Sequence, residues 1–188
     1  MNEYSVCRWI MGAVLALLLL GIAVPFMHPP GTFTGLDGAA GIVDHADLWR
    51  SHGPLTAAVY GLGDLFCHQG MSRSFVVNGS QMPFCIRDVS VMAGIVVGMA
   101  AWELLQLHAD PRGKAALATA SLLIATMMVQ WAVEQSTGAD MPLLRTATGL
   151  LAGLGIGTLI WAYFENGFDR RVRAGSDRSD RDRYRGSR

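Results

Sequence analysis

The side chains best suited to chemistry occur in two short clusters, Cys67-His68 and, further along the chain, Cys85 with Asp88. Thiolate, imidazole and carboxylate groups are all ligands of zinc, and a Cys-x-x-Asp pair on one helical turn can direct both groups to the same side. Adjacent Cys67 and His68 can act together only in a loop, because neighbouring side chains on a helix or strand point apart. The clusters predict a metal site of Cys67, His68, Cys85 and Asp88.

An Asn78-Gly79 pair between short apolar runs separates the two clusters. This pair is a strong signal for a β-hairpin with a type I′ turn, because both central residues of that turn need positive φ. A turn centred on Asn78 and Gly79 places Ser72 opposite Cys85. The hairpin is therefore expected to return the first cluster to the second.

The metal at such a site is expected to be zinc, copper or iron. Thiolate, imidazole and carboxylate together suit zinc, whereas the thioethers of Met71 and Met82 nearby would suit the softer copper(I) ion. The predicted role of the metal is structural or sensory.

Cys67 and Cys85 also allow two interpretations without a metal. A structural disulfide between them would close a loop on the oxidising side of a membrane, which is worth about 3 kcal/mol, in a non-enzymatic subunit of a membrane assembly. An exchanging disulfide would make the chain a membrane thiol-disulfide oxidoreductase. Such enzymes normally carry a Cys-x-x-Cys motif and a second, resolving pair, and the third cysteine, Cys7, lies before the first apolar segment.

Further polar residues are expected at the same face: Gln69 and Arg87 from the motif region, and Glu134 and Arg145 from the ends of apolar segments. Ionisable residues at the margin of a bilayer are costly unless they are paired or functional. Pairing of the two arginines with Asp88 and Glu134 is one expectation, and support of the metal site is the other.

The composition indicates the environment that must position these residues. The chain has 188 residues, of which 51% are hydrophobic and 16% charged, and its 15 basic and 15 acidic residues balance. Its mean hydropathy is +0.31. These values exclude a disordered chain and a disulfide-dense secreted domain and disfavour a water-soluble protein, since soluble domains carry about 25% charged residues.

Apolar segments predict an all-α membrane protein with four spans. About 20 apolar residues are needed to cross the hydrocarbon core. The predicted transmembrane domain is 1–168, with an extracytoplasmic loop over 28–83 and spans at 9–27, 84–108, 115–133 and 146–164. The apolar run 53–66 is too short to span, so an interfacial or re-entrant helix is expected there.

The distribution of basic residues predicts the orientation. Arg8, the turn at 110–114 and the arginines of the C-terminal tail lie on one side, whereas 134–142 has no basic residue. The positive-inside rule then places both termini in the cytoplasm of a cell membrane. The tail, 169–188, has almost no apolar residue and is expected to be disordered.

Small residues recur at intervals of four in two spans. This spacing lets helix backbones approach closely in lipid, and the interpretation favoured is packing within the bundle rather than a homo-oligomer interface. The residues are Gly94, Gly98, Gly149, Gly153 and Gly157.

Several of these motifs together resemble a known family. Cys67-His68-Gln69, Arg73-Ser74-Phe75 and Gly79-x-Gln81-Met82-Pro83-Phe84-Cys85-x-Arg87 are similar to the signature of an uncharacterised prokaryotic membrane family, domain of unknown function 2085. A later Leu144-Arg145-x-x-Thr148-Gly149 element also resembles it. The resemblance implies a multi-spanning membrane protein and brings no established activity. Asp88 stands where the family has the second cysteine of Cys-x-x-Cys, and it preserves a negatively charged ligand.

The sequence therefore predicts a polytopic membrane protein whose partners are the lipid bilayer and, if it assembles, other membrane subunits or a second copy. No phosphate-binding glycine loop, His-Glu-x-x-His motif or nucleic-acid-binding patch is present in the sequence. The motifs do not decide whether the protein is an enzyme.

Overall fold

The computed structural model describes residues 3–36, 43–67, 70–105 and 114–186. These residues form a mostly helical protein with one antiparallel hairpin. The elements are α1 (Glu3–Ala23), α2 (Ala46–Ser51), α3 (Pro54–Phe66), β1 (Ser74–Val77), β2 (Ser80–Cys85), α4 (Ile86–Leu104), α5 (Lys114–Thr137) and α6 (Pro142–Gly186), with short 3-10 turns at Val24–Met27 and Met71–Arg73.

Three stretches of helix among the described residues are long and apolar enough to cross a membrane: Tyr4–Met27, Ala115–Thr137 and Pro142–Glu165. Large apolar side chains on them face outwards, for example Leu19 (54% exposed) and Leu122 (69% exposed). Outward apolar side chains on a long helix are the pattern expected of contact with lipid. These three helices correspond to three of the four predicted spans.

The fourth predicted span, 84–108, contains α4, which begins directly after the hairpin and has 19 residues. Helix α4 is shorter than the other three long helices, and its 19 residues include three charged ones. Arg87 and Asp88 lie in its first turn, and Glu103 precedes its last residue. The structure therefore shows a helix in this segment, while its composition alone does not mark it as a span.

Glycines make the contact between α4 and α6 unusually close. A Cβ atom added to Gly98 would lie 2.7 Å from the carbonyl oxygen of Leu154, and one added to Gly153 would collide with the carbonyl oxygen of Val91. Gly94, Gly149 and Gly157 meet the facing helix in the same way. These five glycines therefore serve packing within the chain, at the contact between α4 and α6.

Contacts at both ends of α4 show in which direction the other long helices run relative to it. At its C-terminal end, the guanidinium of Arg8 lies 2.6 Å from the carboxylate of Glu103, and the indole of Trp102 donates to Glu165 at 3.2 Å. At its N-terminal end, Arg87 reaches Glu134 near the end of α5. Hence α4 runs parallel to α6 and antiparallel to α1 and α5.

The segment between α1 and α4 has a small core of its own. Phe33, Trp49 and Tyr60 are fully or almost fully buried, and α2 and α3 supply two of these rings. The helix predicted over 53–66 is present as α3, whereas α2 was not predicted. Its six residues include one turn of apolar pattern, which is too little for a periodicity signal.

The hairpin forms at the predicted turn with a different register at its far end. Asn78 has φ of 51° and Gly79 has φ of 69°, as a type I′ turn requires. The pairing of Val77 with Ser80 follows the prediction, but an irregularity between Ser74 and Val76 makes Ser74, not Ser72, the partner of Cys85. From the pair Val76–Gln81 to the pair Ser74–Cys85 the chain advances two residues in β1 and four in β2, and no local sequence pattern indicates such a shift.

Helix α6 continues to Gly186, so the disorder predicted for 169–188 is not confirmed. Residues 106–113, which include most of the predicted inner turn at 110–114 and the end of the predicted span 84–108, lie outside the described residues.

Candidate thiol and arginine site

Three different elements carry the residues of the predicted metal cluster. Cys67 follows α3 in extended conformation, and its backbone N–H donates to the carbonyl of Gly63 at 2.8 Å, which ends the helix. Cys85 is the last residue of β2 and immediately precedes α4, and Asp88 lies in the first turn of that helix. The hairpin therefore returns the chain so that the end of α3 meets the start of α4.

The thiol sulfurs of Cys67 and Cys85 and a carboxylate oxygen of Asp88 lie within 4.8 Å of one another. The Cys85 thiol donates to Asp88 Oδ2 at 3.0 Å, and both cysteines are free thiols. Cys67 is buried and the other two residues are partly buried. This arrangement places three groups that can bind a metal around one point.

Three effects raise the pKa of Cys85. A hydrogen bond with Cys67 contributes most, followed by burial and then by the negative charge of Asp88. Each of these effects favours the neutral thiol over the thiolate.

A buried ion-pair network lies beside the cluster. Glu134 accepts hydrogen bonds from Arg87 at 3.0 Å and from Arg145 at 2.9 Å. Arg145 also reaches Asp140 at 2.9 Å, and Arg87 donates to Gln130 at 3.1 Å. The side chain of Arg145 is only 4% exposed and that of Glu134 only 9%.

Of the two ion pairs expected from the sequence, one forms and the other does not. Arg145 pairs with Glu134, as proposed from the sequence, but Arg87 also turns to Glu134 rather than to its neighbour Asp88. Asp88 instead accepts the Cys85 thiol. Consecutive residues on a helix point about 100° apart, so the side chains of Arg87 and Asp88 leave α4 in different directions.

The cluster and the ion-pair network share one cavity of about 370 Å³. Its wall combines thiols, two carboxylates, three arginines and two aromatic rings. The lining residues are Phe66, Cys67, Gly70, Arg73, Cys85, Arg87, Asp88, Trp131, Glu134, Gln135 and Arg145.

Two predicted site residues, His68 and Gln69, lie outside the described residues. Of the predicted site residues that the structure describes, it brings Cys67, Cys85 and Asp88 together with Arg87, Glu134 and Arg145. Cys7 is buried in a separate apolar cluster with Met99 and Trp102. These residues lie at the opposite end of α4, so Cys7 is remote from the site.

Sequence reasoning missed Arg73 and Trp131 of the cavity wall and Gln130 of the ion-pair network. Arg73 was part of the family signature, and its position directly after Ser72, the predicted partner of Cys85, could have indicated it. Gln130 lies one helical turn before Glu134, and this spacing was a usable signal.

Gln81 of the signature and Asn78 of the turn hold the hairpin in place. The side chain of Gln81 accepts the N–H of Leu36 at 2.8 Å and donates to the carbonyl of Leu36 at 3.3 Å. The Asn78 amide donates to the carbonyls of Pro25 and His28. Both residues fasten the hairpin to the segment after α1 and so fix the position of Cys85.

Comparison with protein families agrees with the motifs. Residues 67–159 match the family described as predicted membrane protein DUF2085. The match confirms the resemblance drawn from the sequence and places this part of the chain, which includes the whole cavity wall except Phe66, in that membrane protein family. Neither a curated protein nor a solved structure matches the chain significantly.

Proposed function

We propose that this protein is a four-span membrane protein that binds one transition metal ion at its outer face through Cys67, Cys85 and Asp88, in a structural or sensory role. The observation that carries the proposal is the convergence of two sulfurs and a carboxylate oxygen within 4.8 Å. Groups that can surround one ion must be this close, since zinc lies about 2.3 Å from sulfur and about 2.0–2.2 Å from oxygen.

The donor set favours zinc among the three candidate metals. Two thiolates and one carboxylate leave a fourth tetrahedral position, which His68 could fill because it follows Cys67 directly. Copper(I) would draw on the thioether of Met71 or Met82, and iron would tolerate the same thiolates.

The arrangement of α4 supports a fourth span. A helix of 19 residues is about 28 Å long, close to the thickness of the hydrocarbon core. Its terminal charges are paired, Arg87 with Glu134 and Glu103 with Arg8. Such pairing lowers the cost of ionisable residues at the bilayer margin.

The orientation follows from the same four spans. With α1, α4, α5 and α6 crossing in turn, both termini lie on one side and the thiol cavity on the other. The arginine-rich C-terminal end and Arg8 favour the cytoplasm of a cell membrane for the termini. The cavity would then open outside the cell, where either a metal or a disulfide is chemically reasonable.

Elemental analysis of the detergent-purified full-length chain tests the metal. We expect about one equivalent of zinc, copper or iron per chain, complete loss in Cys85→Ser, and affinity about 10- to 100-fold weaker in Asp88→Asn. Cys7→Ala is the matched control, because it removes a thiol from the opposite end of α4 and should keep the metal.

Absence of metal, together with thiol titration that finds only Cys7 free, would contradict the proposal and favour the structural disulfide. Trapping a mixed disulfide between Cys67 and another membrane protein in Cys85→Ser would instead favour the oxidoreductase. Impermeant thiol labelling of intact cells tests the topology separately: after chelation and reduction, Cys67 or Cys85 should react and Cys7 should not.

A further inference from the structure

Positively charged side chains outnumber negatively charged ones in the wall of the cavity beside the thiols. Arg73, Arg87 and Arg145 line it, together with the carboxylates of Asp88 and Glu134. Glu134 already accepts hydrogen bonds from Arg87 and Arg145, and Asp88 accepts the Cys85 thiol. The acceptors of the cavity wall are therefore largely used within the protein.

Buried atoms around this network lack partners among the described residues, and all of them are donors. They are Arg87 Nε, Arg145 Nη1 and Gln130 Nε2. A buried donor without an acceptor costs about 1–3 kcal/mol, and more for a charged group. The side chain of Arg145 is only 4% exposed, so bulk water cannot easily accept hydrogen bonds from its N–H groups. What this part of the protein lacks is an acceptor.

We propose that the cavity binds a phosphate group against Arg73, Arg87 and Arg145. The planar guanidinium group presents paired N–H donors that match the two oxygens of such an anion. Arg73 is exposed and lies at the cavity wall, so it can approach a ligand without losing a buried partner.

Two aromatic residues indicate what else the ligand carries. Phe66 and Trp131 line the same cavity and are 70% and 45% exposed. They provide an apolar surface beside the arginines, which suits an amphiphilic molecule with an oxyanion at one end. An anionic lipid headgroup and a water-soluble phosphate share this chemistry, and the experiment separates them.

The proposal does not rest on the metal, so its test uses the full-length detergent-purified chain in the presence of EDTA. Binding of radiolabelled inorganic phosphate is measured by equilibrium dialysis, and retention of dioleoyl phosphatidylglycerol against dioleoyl phosphatidylcholine is measured by native mass spectrometry. We expect saturable binding of phosphate, preferential retention of phosphatidylglycerol, or both. Phosphate binding marks a soluble source, and retention of phosphatidylglycerol without phosphate binding marks a lipid.

Two variants of exposed Arg73 avoid the risk of unfolding the buried network. Arg73→Gln should weaken binding about fivefold and Arg73→Glu should abolish it, because charge-assisted hydrogen bonds are lost and then replaced by repulsion. Arg50→Gln is the control, since Arg50 is 76% exposed and lies outside the cavity wall. Failure of both probes to bind, equal retention of the two lipids without phosphate binding, or binding unchanged in Arg73→Glu would overturn the proposal.

Discussion

Two polar centres of this protein contain buried carboxylates, and they differ in how the surrounding side chains enclose them. Asp64 lies inside the aromatic core of the segment between α1 and α4 and is fully buried. Its Oδ2 atom accepts the indole N–H of Trp49 at 3.1 Å and the backbone N–H of His45 at 3.2 Å. Glu134, in contrast, forms part of the wall of an open cavity.

The polar atoms without hydrogen bonds differ between the two centres. At Asp64 they are the acceptor Oδ1 and the Nδ1 atom of His45, which lie 3.8 Å apart and so face each other. In the ion-pair network beside the cavity they are guanidinium and amide donors with no acceptor facing them among the described residues. The first centre is enclosed by Trp49 and other packed rings, so its polar groups stabilise the fold and do not face a cavity. The second leaves thiols and donors facing a space that a ligand can enter.

The largest expected change in stability is at the ion-pair network rather than at the thiols. Glu134→Gln should destabilise the protein by about 3–5 kcal/mol, because buried Arg145 and partly buried Arg87 would lose their shared negative charge. Denaturant unfolding in detergent micelles measures the change. Asp140→Asn is the control: Asp140 is 47% exposed and should contribute less than about 1 kcal/mol. Equal effects of the two variants would mean that Glu134 is not the centre of the network.

A smaller effect is expected in the enclosed centre. Asp64→Asn should cost about 1–3 kcal/mol, since the indole of Trp49 and the N–H of His45 lose a charged acceptor. Binding of the proposed metal should be unchanged, because the hydrogen-bond partners of Asp64 are His45 and Trp49 and not residues of the cavity wall. Asp47→Asn, on the surface of α2, should leave the midpoint of unfolding unchanged. Loss of metal in a folded Asp64→Asn protein would show that the two centres are coupled.

The smallest expected change in stability is that of the thiol cluster. Asp88→Asn should alter the free energy of unfolding of the metal-free protein by less than about 1 kcal/mol, because Asp88 is partly exposed and accepts one weak thiol hydrogen bond. The same unfolding assay, run with EDTA, measures it. A loss of stability comparable to that of Asp64→Asn would show that Asp88, like Asp64, stabilises the fold, and would remove this difference between the two centres.

Long apolar segments could be predicted from the sequence because the length needed to cross a bilayer is a local property. The helices near 9–27, 115–133 and 146–164 follow from it, and the turn at Asn78-Gly79 follows from the φ values that these residues tolerate. The register error at Cys85 arose because the irregularity in the strand pairing depends on how β1 and β2 pack, which no local pattern records.

The candidate site could be predicted only in part. The meeting of Cys67, Cys85 and Asp88 followed from a hairpin between them, and the family match over 67–159 agrees with the motif that carries these residues. The choice of Glu134 as partner for Arg87 could not be predicted, because it depends on which way a side chain leaves α4 and on where α5 lies. The enclosed Asp64 was missed for a similar reason, since its donors come from the short helix α2 and the turn before it.

By itself the sequence determined that this chain belongs in a membrane, where its hairpin turns, and which thiols and carboxylate are chemically capable of holding a metal. These properties reside in composition, in residue type and in spacing along a few neighbouring residues. Only the tertiary structure decided that the arginines of α4 and α6 share one carboxylate of α5, and that their remaining N–H groups need an acceptor. Distances between helices are set by close packing of many side chains and glycines, so they emerge only when the whole chain is folded.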